Sequence, residues 1–240
     1  MKTKFIPFTG ALVGLALALA PAGPAWAGPI TQSASYSTGV VIPDDDLSGV
    51  ADTETFSSAI QSITDLQVSL NISGGYDGDF YAYLTHGSTG FAVLLNRIGV
   101  NSSSTYGSFD SGMNVTFSAA ASANIHDASY AGGVLSGTFQ PDGRNVSPLT
   151  SPTVLEATPS TALLGSFDGA NPNGAWTLFI ADSSPVGIGT FESWSLDVTG
   201  TTSSSSVPDS STTCALLEMS AGLLFVIKRR TGRHGMPAGP

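Results

Sequence analysis

Gly165–Asp182 reads GSFDGANPNGAWTLFIAD and runs straight on into Ser183–Gly200, SSPVGIGTFESWSLDVTG; together they hold two of the chain's three tryptophans. In Ala175–Ala181, Trp176, Leu178 and Ile180 occupy every second position. In Thr190–Val198, Phe191 and Glu192 lead into Trp194, Leu196 and Val198 with the same spacing. Successive side chains of a strand point to opposite faces, so each run predicts a half-buried strand. The segment between them, Asp182 followed by SSPVGIG at 183–189, is turn chemistry: two glycines, a proline and short side chains. The two tryptophan strands are expected to fold back on each other into one β core.

Working outward, the same alternation recurs. Leu66, Val68, Leu70 and Ile72 alternate with polar residues in Ile63–Ile72, and Phe80–Leu84 and Phe91–Leu95 read as further strands. Pro29–Gly39 is polar and mixed, either a leader over 28–39 or a first edge strand. Asn101–Gly112 is a Ser/Gly loop, and the Pro/Ser/Thr-rich stretch from Arg144 to Pro159 is a surface loop. Strands parted by glycine turns, without helical periodicity or a repeat of solenoid period, predict an all-β, jelly-roll-like sandwich.

Charge narrows the partners. Between Gly28 and Val207 there are sixteen Asp and Glu against two cations, Arg97 and Arg144, a formal charge of −14 with no lysine. Phosphate backbones are bound by Lys and Arg clusters, so nucleic acid is excluded as a partner. An acidic surface serves solubility or divalent cations. The one cysteine, Cys214, lies outside the expected domain, so no internal disulfide supports the fold. Four N-x-S/T sequons (Asn71, Asn101, Asn114, Asn145) are of the kind that arises by chance in a Ser/Asn-rich chain.

Several ordered motifs resemble the P-domain (P/Homo B domain), the β-sandwich module that follows the catalytic domain of proprotein convertases and many bacterial subtilisin-like proteases. The carriers are F-D-G at 167–169, N-P-N-G-A-W-T-L at 171–178, Asp182 and G-T-F-E-S-W-S-L at 189–196, with I-P-D at 42–44 as its opening and Gly78, Asp79 and Phe80 in place of its G-D-L motif. Ser73, Gly74 and Gly75 stand where that family has a histidine. The resemblance spans 40–200 and implies a P-domain or galactose-binding-like sandwich. It also implies calcium at strand-end loops, with Asp79 and Asp182 at motif aspartate positions.

Both ends of the chain read as export signals. Lys2 and Lys4, the apolar run Ala11–Ala20 and the A-W-A at 25–27 have the order of a signal peptide over 1–27. After a Ser/Thr linker at 201–211 containing V-P-D, an apolar segment and basic cluster at 212–230 resemble a PEP-CTERM sorting tail of VPDSG-like type, followed by a tail at 231–240. That resemblance implies export machinery, transient membrane anchoring and an exosortase acting on a secreted or surface protein of a bacterium. Ser211 stands where the motif has glycine, and Glu218 interrupts an apolar run of about 14 residues, short of the roughly 17–25 a spanning helix needs.

No catalytic set is legible. His86-Gly87-Ser88 and Asp110-Ser111-Gly112 superficially match subtilisin-like motifs, but in the wrong order and without a serine motif after them. The chain is expected to be non-catalytic. The remaining chemistry is cation binding: Asp44, Asp45 and Asp46, Asp77 with Asp79, and Asp182 all fall at strand ends, where calcium collects carboxylate and carbonyl oxygens. Each of them could equally cap its own turn. Functionally the sequence leaves three readings: a calcium-stabilised binding, matrix or surface module; an accessory subunit of a separate secreted serine protease; and an exopolysaccharide-binding sandwich, which exposed Trp or Tyr side chains on one flat face would favour and burial of both tryptophans would oppose.

Overall fold

The computed structural model describes residues 28–128 and 132–203, so the signal-peptide and sorting-tail readings lie outside the described residues. The strands are β1 (Ile30–Val41), β2 (Asp46–Phe56), β3 (Ile60–Gly74), β4 (Phe80–His86), β5 (Gly90–Asn96), β6 (Met113–Ser118), β7 (Leu135–Phe139), β8 (Gly174–Asp182) and β9 (Gly189–Thr202). A five-stranded sheet in the order β1-β9-β3-β6-β7 faces a four-stranded sheet in the order β2-β8-β4-β5. The fold is an all-β sandwich, as the alternation predicts. Every pairing among these strands is antiparallel except β6 with β7.

Two expectations need correction. The segment 28–39 is no leader: β1 runs antiparallel to β9 from Ile30↔Gly200 to Val41↔Thr190, and β9 itself continues into the expected linker as far as Thr202. Polar residues suffice there because an edge strand's outer face meets water. The tryptophan strands also do not pair with each other. Loop 183–188 carries the chain from β8 in one sheet to β9 in the other, so the indoles meet the core from opposite sides.

Trp176, Leu178 and Ile180 from β8 and Trp194, Leu196 and Val198 from β9 join the inward residues of β3, β4, β5 and β6 in one buried cluster. A register shift at Glu192 lets both Phe191 and Trp194 point inward although three positions separate them. Both indole N–H groups are satisfied: Trp176 Nε1 donates to the Pro172 carbonyl at 2.8 Å, and Trp194 Nε1 to Asp52 Oδ2 on β2 at 2.6 Å, bridging the sheets. The short helix α1 (Pro152–Ala157) lies within the stretch read as a loop, with only Leu155 buried.

The outer faces differ. On the five-stranded sheet short polar side chains run in rows, Ser35, Ser195, Ser69 and Thr116 being consecutive cross-strand partners. The four-stranded sheet instead carries half-buried Tyr81, Tyr83, Phe91 and Phe179, with Tyr83 stacked on Phe179 at 4.8 Å.

Candidate functional site

The turns that enter or leave β2, β4, β5, β8 and β9 at one end of the sandwich gather the acidic residues. Backbone pairing places Asp46 and Phe80 on either side of Asp182, so the 44–46 turn, the Asp77–Asp79 3-10 turn and the 182–188 loop are neighbours. Ser183 N–H donates to the Asp79 carbonyl at 2.9 Å, and Val186 N–H to Asp44 Oδ2 at 3.2 Å. Among the described residues, all three non-glycine positions with left-handed backbone are at this end: Asp45 (φ 50°), Arg97 (φ 56°) and Val186 (φ 78°). Such conformations are held only where surrounding contacts impose them, and they concentrate at functional sites.

The predicted aspartates separate by environment. Asp46 is exposed, accepts from Ser48 N–H at 2.8 Å and has its pKa lowered by that contact; it is a turn cap. Asp182 is buried, accepts from Ser184 N–H through Oδ1 and leaves Oδ2 without a partner. Burial pushes its pKa up to about 6, with the charges of Asp79, Asp44 and Asp45 adding to the rise. Burial likewise raises Asp79, against the opposing pull of Ser184 and Arg97. These four carboxylates therefore share one electrostatic neighbourhood.

Asp77 stands apart from them and is the least satisfied carboxylate among the described residues. It is 0% exposed, and neither carboxylate oxygen has a hydrogen-bond partner. Its neighbour is Asp110, a residue that sequence reasoning considered only as part of a false protease motif. The two loops are stitched by Asp77 N–H to the Asp110 carbonyl and Gly78 N–H to the Ser108 carbonyl, each 3.0 Å. Gly78 permits this approach, because a Cβ there would lie 2.4 Å from the Tyr106 carbonyl oxygen. Asp110 is 1% exposed, and its Oδ1 accepts from Gly132 and Gly133 N–H at 2.8 and 3.1 Å. Burial, and then the charge of Asp110, push Asp77 up to about 8; the Gly112 amide leans toward it without hydrogen-bond geometry and offsets a little of this. The available signal in sequence was a second aspartate in a Ser/Gly loop, which carries no periodicity.

The donor set fits a hard cation only in one form. Among the described residues no group of three or more His, Cys, Asp or Glu side chains is gathered to hold a metal ion. A zinc-like site, which needs such a group, does not fit. Calcium does fit, because it accepts carbonyl oxygens and water beside one or two carboxylates, and Asp77 supplies two buried carboxyl oxygens without a hydrogen-bond partner.

The histidines at 86 and 126 are structural. His86 Nδ1 and Nε2 face the Ala175 and Asn171 carbonyls at 2.9 and 2.8 Å, and the ring lies on Trp176 at 4.2 Å and 10°. His126 is held between Asp142 Oδ2 at 2.7 Å and the Val100 carbonyl at 3.0 Å. Both ring nitrogens of each are engaged, which leaves neither placed to take a proton from a serine.

The fold and this end thus define an all-β sandwich with an acidic, strained loop face. No protein-family model matches the chain, and no curated protein matches it. Among solved structures it is similar to a chain of the complex of Aeromonas sobria serine protease with its chaperone, at 13% identity and a TM-score of 0.42, over 72% of this chain and 27% of that one. It is also similar to the serine protease of Aeromonas sobria alone, at 14% identity and a TM-score of 0.40, over 73% of this chain and 28% of that one. The chain spans little more than a quarter of the length of those chains.

Proposed function

We propose that this chain is an exported, non-catalytic sandwich of the P-domain kind, stabilised by calcium at its acidic end and acting by binding. One observation carries the calcium reading: a fully buried Asp77 with both oxygens unpartnered beside a buried Asp110. An uncompensated buried carboxylate is costly, and it is relieved by a proton or by a cation. Asp77 would hold the ion, with loop carbonyls and water completing its shell, and the ion would supply the charge that locks the loops together. The full chain should melt about 5–10 °C higher in calcium at a hundredfold excess over its dissociation constant than in chelator, because such occupancy is worth about 2.7 kcal/mol. Asp77→Asn should abolish that difference. A shift of a degree or less in the wild-type chain would overturn the reading.

The partner class implied by the P-domain resemblance is a separate secreted serine protease, and co-purification of such a protease with the chain tests it. A polysaccharide reading has one specific observation behind it, the aromatic row of Tyr81, Tyr83, Phe91 and Phe179 on an outer sheet face. Burial of Trp176 and Trp194, at 0% and 2% exposure, counts against it. Retention of the chain on insoluble polysaccharide that Tyr83→Ala abolishes would favour that reading.

A further inference from the structure

Beside the carboxylates the same loops build a groove. Its walls are Tyr76, Tyr106, Phe109, Pro185 and Val186, Asp79 lines it as well, and its volume is about 260 Å³. That is below the roughly 300–1,000 Å³ of ordinary small-molecule sites and suits a single side chain. Tyr106, Phe109 and Val186 are 70%, 58% and 67% exposed, so three large apolar residues are shown to water at one place.

The walls are fixed in position. Tyr76 and Phe109 meet edge to face at 5.9 Å. They are the chain neighbours of Asp77 and Asp110, so the stitch between those two loops sends carboxylates inward and aromatic rings outward. Arg97 Nη2 donates to the Thr105 carbonyl at 3.1 Å, which anchors the loop under Tyr106. Gly107 (φ 71°) lies so close to the Ile98 carbonyl that a Cβ would stand 2.3 Å from it. Opposite, the Asp44 carboxylate holds the left-handed Val186 by its N–H.

The field at this groove is negative. Asp79 lines it, the charge of Asp44 reaches Asp79, those of Asp79, Asp44 and Asp45 reach the neighbouring Asp182, and the cation that acts on Asp79 is Arg97, whose guanidinium is spent on the Pro148 and Thr105 carbonyls. Ring faces attract cations, apolar walls accept methylene stems, and a carboxylate completes the match. We propose that the groove receives the arginine or lysine side chain of a basic segment of a partner protein. A neutral or acidic partner would face the charge of −14 between Gly28 and Val207 without compensation.

The full chain, isotope-labelled, is titrated by NMR with a Gly/Ser peptide bearing one central arginine, with its lysine counterpart and with its citrulline counterpart. The two basic peptides should shift the amides around Tyr76, Tyr106–Phe109 and 184–188 saturably, and the citrulline peptide should bind about tenfold more weakly or worse. Tyr106→Ala and Phe109→Ala, exposed positions that leave the core intact, should each weaken binding several-fold. Equal binding of citrulline, or no effect of both alanines, would overturn the proposal. So would an equal loss in Asp197→Asn on the far sheet, which would mark diffuse electrostatics, or self-association of the chain that Tyr106→Ala removes, which would make a second copy the occupant. Repeating the titration in chelator separates this from calcium: binding that persists there stands even if the calcium reading fails.

Discussion

At one end of the sandwich His86 lies flat on Trp176 with a carbonyl against each ring nitrogen, and the indole N–H is bonded in turn to Pro172. At the other end Asp77 is buried just as deeply with no bond to either oxygen, and Asp182 keeps one oxygen unpartnered. The first end spends its polar groups on itself, and His86 keeps nothing for a ligand. The second keeps unpartnered carboxyl oxygens, three left-handed residues and exposed aromatics within one set of loops. The two ends of one small core are thus built differently, and substitutions at them should behave differently.

Truncation gives the largest contrast. Trp176→Ala removes a fully buried indole between His86 and Phe167 and should cost about 3–5 kcal/mol. Tyr106→Ala or Phe109→Ala at the acidic end should move stability by less than about 0.5 kcal/mol. Urea unfolding of the three variants checks both, and comparable losses would erase the distinction between a closed and an open end.

Titration in chelator is next in size. Asp77 and Asp182 have folded pKa values raised from 3.8 to about 8 and about 6, so between those values the folded chain holds protons that the unfolded chain has lost. Their contribution is complete below pH ~4, falls as pH rises through about 6 and then about 8, and is flat above that. The loss should be on the order of 3 kcal/mol, discounted from the full ~1.36 kcal/mol per unit because relaxation and water soften it. Calcium should flatten the upper part of the profile, and Asp77→Asn should remove it. Stability that instead rises from pH ~5 to ~8 in chelator would mean that Asp77 is neutralised by something other than a proton.

At the closed end, His86→Phe keeps a ring on Trp176 but removes the ring N–H that one of the Ala175 and Asn171 carbonyls accepts. The expected cost is about 1–3 kcal/mol, read as a lower urea midpoint. A neutral result would show that the stack, and not the hydrogen bond, holds this end.

How far the sequence reaches is visible in the same residues. Alternation around Trp176 and Trp194 identifies both strands and their inward faces, because facing is a local property of the extended chain. It does not say which sheet each strand joins, since the short loop 183–188 allows either a hairpin or a crossing. The aspartates at 44–46, 77, 79 and 182 were legible as strand-end residues, but their burial was not. Asp46 and Asp77 differ only in how other loops cover them. Asp110, Tyr106 and Phe109 lie in a Ser/Gly loop without periodicity, and their meaning comes from the carbonyls of Ile98 and Tyr106 approaching Gly107 and Gly78.

The smallest effect is the most specific to the acidic end. Val186 is a β-branched residue at φ 78°, largely exposed, and held there by Asp44. A backbone of this kind costs roughly 1–3 kcal/mol in a non-glycine residue. Glycine removes that cost but adds about 0.5–1 kcal/mol of chain entropy on folding. Val186→Gly should therefore stabilise the chain by about 0.5–1 kcal/mol, seen as a higher urea midpoint at unchanged slope, while weakening capture of the arginine peptide because one groove wall is gone. Gain in stability with loss of binding is the signature of strain maintained for a ligand. If the variant is instead less stable, Val186 is contributing apolar contact and not strain, and the acidic end is built by the same rules as the closed one.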